Sequence, residues 1–153
     1  MDLRYDPDFF NLLAGSFHRL TGNELAPSAI PPEEGARYLY EQAPFGLLAH
    51  DTAEDPIFVY GNKAAQQLFG YDWAELTRLP SRLSAEAPDR NDRQRFLERV
   101  GRNGFVSDYS GIRVTKTGRR FRIAGACVWQ LIDAAGVLHG QAALLPPLTE
   151  PAP

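Results

Sequence analysis

Residues 56–71 read Pro56-Ile-Phe-Val-Tyr60-Gly-Asn62-Lys-Ala-Ala65-Gln-Gln-Leu-Phe69-Gly-Tyr71. Ile57, Phe58, Val59 and Tyr60 are β-branched or aromatic, which predicts a short half-buried strand over 57–60. Asn62 follows as a helix N-cap candidate, because its side-chain oxygen can accept from the free amides of a first turn. Ala64, Ala65, Leu68 and Phe69 then recur at helical spacing, and Gly70 supplies a stop. A strand that runs straight into a capped helix sets the reading of everything on either side.

Upstream, Asp6-Pro7 predicts a helix start, with Asp6 as cap and Pro7 at the first helical position. Phe10, Leu13, Phe17 and Leu20 mark one apolar face, and Gly22 ends it. Residues 25–32 form a Pro-containing linker, and a second short helix is expected over 33–42. The segment from Phe45 to His50 reads as a strand. Residues 51–56 then turn the chain, so 45–60 forms a hairpin. Downstream, Pro80 and Pro88 break residues 71–91 into short helical pieces. A better helix spans 92–100, with Phe96, Leu97 and Val100 as its apolar face.

The last third reads as three strands. Thr117-Gly118 taken as a two-residue turn places Val114 opposite Phe121 and Ile112 opposite Ile123. Residues 133–136 taken as the next turn place Leu131 opposite Leu138, Trp129 opposite Gly140 and Cys127 opposite Ala142. One sheet face then collects Ile112, Val114, Phe121, Ile123, Cys127, Trp129, Leu131, Leu138, Ala142 and Leu144. The other collects Tyr109, Arg113, Arg122, Gln130, His139 and Gln141, with Ala124, Ala126, Val128, Ala143 and Leu145. That second face is apolar enough to need a cover. The N-terminal helix, within one chain or across a homodimer, is the expected one.

The chain of 153 residues carries a net charge of -3 and is 44% hydrophobic. Such a composition suits one globular domain and gives no basic field for nucleic acid. The single Cys127 excludes an intramolecular disulfide and any multi-cysteine metal site. No apolar run reaches membrane-span length, and the N-terminus has no signal-peptide pattern, so a cytoplasmic location is expected and no membrane partner.

The order of two strands, short helices and three strands, together with the Asn62 junction, resembles a PAS domain. That resemblance implies an α+β fold: a five-stranded antiparallel sheet with short helices on one face, preceded here by an N-terminal helical extension. Three further stretches narrow it: Arg78-Leu-Pro-Ser-Arg-Leu-Ser-Ala-Glu86, Asp108-Tyr-Ser-Gly-Ile-Arg-Val114, and Thr117-Gly-Arg-Arg-Phe-Arg-Ile-Ala-Gly-Ala-Cys-Val-Trp129. Together they resemble the MEKHLA domain, a PAS-related module that in plants ends certain homeodomain-leucine zipper regulators and in bacteria stands alone. The resemblance covers about residues 9–145. With no homeodomain or zipper in this chain, it implies an interaction module and no more. The expected organisation is an extension over 1–43, a PAS-like core over 44–146, and a disordered Pro-rich tail over 147–153.

Cofactor chemistry finds little purchase. Light-sensing flavin PAS domains use a cysteine in an Asn-Cys-Arg-Phe-Leu-Gln-like string. Aligned on Gly70-Tyr71, that position holds Ser81, with Arg82 matching the arginine, and serine cannot form the photochemical adduct. Haem needs an axial ligand, usually histidine. His18 reads as a surface residue. His50 and His139 lie at the ends of neighbouring strands, where they are either solvent-facing or, with Asp51 or Asp55, a metal pair. No cofactor is expected, and the protein should be colourless.

Arginine offers the strongest binding chemistry, because its planar fork takes carboxylate or phosphate bidentately. Arg113, Arg119, Arg120 and Arg122 cluster on one hairpin, where they are either an anion site or a solvated edge. Arg82 either enters a pocket or makes a structural ion pair. Tyr60, Phe69, Trp73 and Trp129 either line an apolar cavity or fill a core. The ligand-binding set is therefore Tyr60, Asn62, Phe69, Trp73, Arg82 and Trp129, and the ligand class is a small aromatic or amphipathic carboxylate. No catalytic constellation is present: no nucleophile elbow, phosphate loop or zinc-protease helix. The expected function is a non-enzymatic sensory or interaction module that binds a small molecule, homodimerises, or both. The alternatives are a small enzyme with a buried pocket acid, or a purely structural dimerisation domain.

Overall fold

A computed structural model describes residues 2–85 and 90–147, without the side chains at 90–94 and 97. Pro88, Glu86 and the tail from 148 onward, all used in the sequence reading, lie outside the described residues.

The helices begin and end where local chemistry puts them. Helix α1 spans Pro7–Thr21, with the Asp6 carboxylate accepting from the amides of Asp8 and Phe9 and Gly22 closing it in the left-handed conformation. Helix α2 spans Pro32–Glu41, strand β1 Gly46–His50 and strand β2 Phe58–Gly61. Helix α3, Lys63–Phe69, is capped by Asn62 and stopped by Gly70. Helix α4, Trp73–Leu76, starts in a reciprocal capping box between Asp72 and Glu75. A 3-10 turn over Ser81–Ser84 precedes helix α5, Arg90–Asn103. Strands β3 (Phe105–Val114), β4 (Arg120–Ile132) and β5 (Leu138–Leu145) complete the chain.

The strands form one antiparallel sheet in the order β2-β1-β5-β4-β3. Each face has its own cover. Phe9, Phe10, Leu13 and Phe17 of α1, with Leu39 and Tyr40 of α2, bury Leu47, Ala49, Tyr60, Trp129, Leu131 and Ala142. Each large apolar side chain so buried contributes about 1.5–3 kcal/mol. On the other face, Ala65 and Phe69 of α3 and Leu76 of α4 bury Leu48, Phe58, Phe121, Ile123, Ala126 and Leu145. Val100 of α5 packs there on Val106 and Val128.

The N-terminal helix therefore covers the sheet as expected, but on the face of Trp129 rather than that of Ala126 and Val128. Gly125 is the reason. It takes a positive φ of 68° and sits where the β3–β4 register slips, between Tyr109↔Ala126 and Gly111↔Ile123. Because side chains alternate with period two, one extra residue turns the rest of the strand over. Phe121 and Ile123 thus share a face with Ala126 and Val128, and Trp129 does not.

The β3–β4 turn differs from the sequence reading as well. Thr115 and Arg119 close a three-residue loop, Lys116-Thr117-Gly118, in which Gly118 takes φ 86°. A type I turn completed by a left-handed residue needs glycine at that third place. Arg113 then pairs with Phe121 and Val114 with Arg120. Ile112 and Val114 are not on the face of Phe121 and Ile123; Gly111 and Arg113 are. The β4–β5 loop is built alike, with Gly136 at φ 86°, and a bulge near Leu131 brings Trp129 opposite Ala142 instead of Gly140. That second shift totals two residues, so Cys127, Trp129, Leu131, Ala142 and Leu144 keep their common face, while Leu138, paired with Ile132 instead of Leu131, leaves it and is exposed.

Candidate functional site

Asn62 is fully buried and uses every hydrogen-bonding position of its amide. Its Oδ1 accepts from the amides of Ala65 and Leu47, each at 3.0 Å. Its Nδ2 donates to the carbonyls of Leu39 at 2.9 Å and Phe45 at 3.0 Å. One side chain thus caps the start of α3, satisfies a carbonyl in the last turn of α2 and pins the entry to β1. The cap was legible in the sequence; the other three bonds join segments distant in the chain. With all four positions taken inside the protein, Asn62 presents nothing to a ligand.

Tyr60 and Trp73 meet edge to face at 5.8 Å, and Tyr40 stands at 6.3 Å from Tyr60 and 5.7 Å from Trp73. Arg4 lies over the Trp73 ring at 5.2 Å, and Tyr5 packs on Tyr40 at 5.5 Å. Burial, reinforced by the neighbouring Tyr40 and Tyr5 phenols, pushes the Tyr60 hydroxyl well above its ordinary range. This cluster belongs to the α1 face and is roofed by the chain's own N-terminal segment.

The other three predicted residues lie elsewhere. Phe69 packs against Phe121 at 5.3 Å on the α3–α5 face. Trp129 stands on the opposite face, fully buried, 4.8 Å from Phe17, with its Nε1 donating to Ser16 Oγ at 3.0 Å. Arg82 is on the surface, its side chain 58% exposed, and its Nε donates to Asp55 at 3.2 Å. An exposed pair of this kind contributes about 0–1 kcal/mol. The six residues therefore do not line one cavity, because the sheet itself separates Phe69 from Trp129.

The histidines do not converge either. His139 Nε2 pairs with Asp133 at 2.8 Å, holding that carboxyl below its usual range, and His50 Nδ1 contacts the Asp51 carbonyl at 2.8 Å. Among the described residues no three His, Cys, Asp or Glu side chains form a metal-holding group. Cys127 is half-buried, and burial pushes its thiol up to about 11.

Sequence reasoning placed Arg113 on the polar face. The three-residue loop turns it inward, where its guanidinium carbon lies 5.4 Å from the Tyr109 ring centre. Its Nε is enclosed and has no hydrogen-bond acceptor. The signal that could have found it is the glycine at the third loop position, which marks a three-residue turn rather than a two-residue one. The tip of the same hairpin is clasped to the helices: the Lys116 amide donates to the Phe69 carbonyl at 2.9 Å, and its ammonium pairs with Glu75.

A sheet of this order with these helices is the architecture the sequence reading anticipated, and a family match fixes it. The MEKHLA domain matches residues 7–149. The chain belongs to the MEKHLA domain family. Among solved structures, this MEKHLA domain is similar to an RNA-binding light-oxygen-voltage receptor at 26% identity and a TM-score of 0.64, over 82% of this chain and 35% of that one. The chain thus spans about a third of that receptor. A PAS domain from Colwellia psychrerythraea is similar at 14% identity and a TM-score of 0.61, over 76% of this chain and 96% of that one. The fungal blue-light photoreceptor Vivid, as its light-state dimer, is similar at 19% identity and a TM-score of 0.55, over 68% and 78%. The last two likenesses show the PAS-like fold alone. No functionally curated protein matches the chain. Among the described residues no helix is long and apolar enough to cross a membrane.

Proposed function

We propose that this MEKHLA domain is a non-enzymatic sensory module that takes a small molecule on the α3–α5 face, with homodimerisation as a second, compatible output. PAS-like domains are typically sensory, and both the family and the fold support that class. The observation that carries the binding reading is the inward guanidinium of Arg113, whose enclosed Nε has no acceptor among the described residues beside the hydrophobic cluster of Phe69, Phe121 and Ile123. A scaffold with a purely structural role gains nothing from such a group.

The enzymatic alternative is less well supported. Among the described residues, the Asp133–His139 pair sits on an exposed hairpin, and Ser16 is committed to Trp129. RNA binding, the property of the similar light-oxygen-voltage receptor, is not proposed for this chain, because a net charge of -3 supplies no field for a polyanion.

Native mass spectrometry of the purified protein tests the reading, since it reports retained ligand and oligomeric state together. A mass above that of the bare chain, or a dimer, is expected. A bare monomer that stays unchanged across a panel of small organic acids would leave the scaffold alternative standing. A flavin or haem absorption band would contradict the expectation of a colourless protein.

A further inference from the structure

We propose that Arg113 is the oxyanion-recognition residue of the α3–α5 face, holding the carboxylate or phosphate of a small organic molecule. The inference rests on the binding-module reading above and names the chemistry of its ligand.

Arg113 is positioned by its backbone pairings and by one aromatic ring. Its backbone is bridged on one side to Ala85 and paired on the other with Phe121. The Phe121 ring leads into the apolar interior through Phe69. The guanidinium carbon lies 5.4 Å from the Tyr109 ring centre, and that ring packs on Phe96 at 4.7 Å. A ring face attracts the cation but accepts no in-plane hydrogen bond, so the N–H groups of the fork are left for another partner.

Among the described residues Nε is enclosed without an acceptor, and the neighbour the guanidinium meets is the Tyr109 ring. Burial pulls the guanidinium below its ordinary pKa, the direction expected of a charge taken from water without compensation. Other arginines of the chain show what a structural pairing looks like: Arg99 with Asp108 at 2.6 Å, and Arg82 with Asp55 at 3.2 Å. A buried polar group is normally satisfied, and an unmet cation is costly. A two-oxygen anion supplies both the missing charge and the missing acceptor.

The test uses the full chain labelled with 15N at arginine, followed through its Nε–Hε signals. Arg113→Lys and Arg113→Met each identify the Arg113 signal by its loss. The parent is titrated separately with sodium benzoate and phenyl phosphate, with sodium chloride as the ionic-strength control. The expected result is a saturable shift of the Arg113 signal with benzoate or phenyl phosphate and none with chloride. The responding compound identifies the source of the oxyanion. Affinity should fall about tenfold or more in Arg113→Met, which should melt at or above the parent temperature when no ligand is present. An Arg113 signal that neither oxyanion moves overturns the proposal. So does an Arg113→Met that binds as tightly as the parent. If native mass spectrometry finds the same retained molecule on parent and Arg113→Met, the binding-module reading survives and the Arg113 assignment falls.

Discussion

Replacing Asn62 by alanine removes four hydrogen bonds from a side chain with no solvent exposure. The cap on α3 alone is worth about 0.5–2 kcal/mol. The Leu47 amide and the Leu39 and Phe45 carbonyls would also lose a partner, and a buried backbone group left unmatched costs about 1–3 kcal/mol. Neighbouring losses do not add in full, because one relaxation serves several groups. The expected destabilisation is therefore about 3–5 kcal/mol, more than a cap can explain. Urea unfolding followed by tryptophan fluorescence measures it, since Trp73 and Trp129 report on the α1 face. Asn62→Asp sharpens the test. A carboxylate keeps the two acceptor positions but faces the Leu39 and Phe45 carbonyls with charge instead of donors. Its folded-state pKa should be raised, so this variant should regain stability relative to the parent as pH falls and the carboxyl protonates. A loss of less than about 1 kcal/mol for Asn62→Ala would refute the strut and leave only a cap.

Further outcomes follow from the same packing. Trp129→Ala should cost about 3–5 kcal/mol, and Ser16→Ala about 1–3 kcal/mol by stranding the indole N–H; equal denaturation midpoints for parent and Trp129→Ala would contradict the position of Trp129 under α1. Gly35→Ala would place a methyl 2.4 Å from the Phe10 ring, so α1 should lift from α2, at a cost of about 1–3 kcal/mol in thermal unfolding. Removing residues 1–30 uncovers Trp129, Leu131 and Ala142; the truncated chain should bind a hydrophobic dye or self-associate in sedimentation, and a soluble product of unchanged stability and oligomeric state would count against the cover. Cys127, its thiol raised to about 11 by burial, should react with Ellman's reagent far more slowly in the folded protein than in urea.

Sequence alone settled whatever depends on neighbours within a turn or two. Asp6, Gly22, Asn62 and Gly70 act on amides and carbonyls three or four residues away, so the helix ends were legible before any contact was known. The order of strands and helices, and with it the PAS-like class, follows from that local grammar, and the family match over residues 7–149 agrees. Tertiary structure alone decided which face each strand residue occupies. Strand phase is cumulative, so a third loop residue before Gly118 turned Arg113 inward and a bulge at Gly125 carried Trp129 across the sheet. It also decided who partners whom. Asp55 reaches Arg82 across 27 residues, and Leu39 reaches Asn62 across 23, distances over which no local spacing rule operates. The unmatched Nε of Arg113 belongs to the same class: a missing acceptor becomes visible only when every neighbour has been placed.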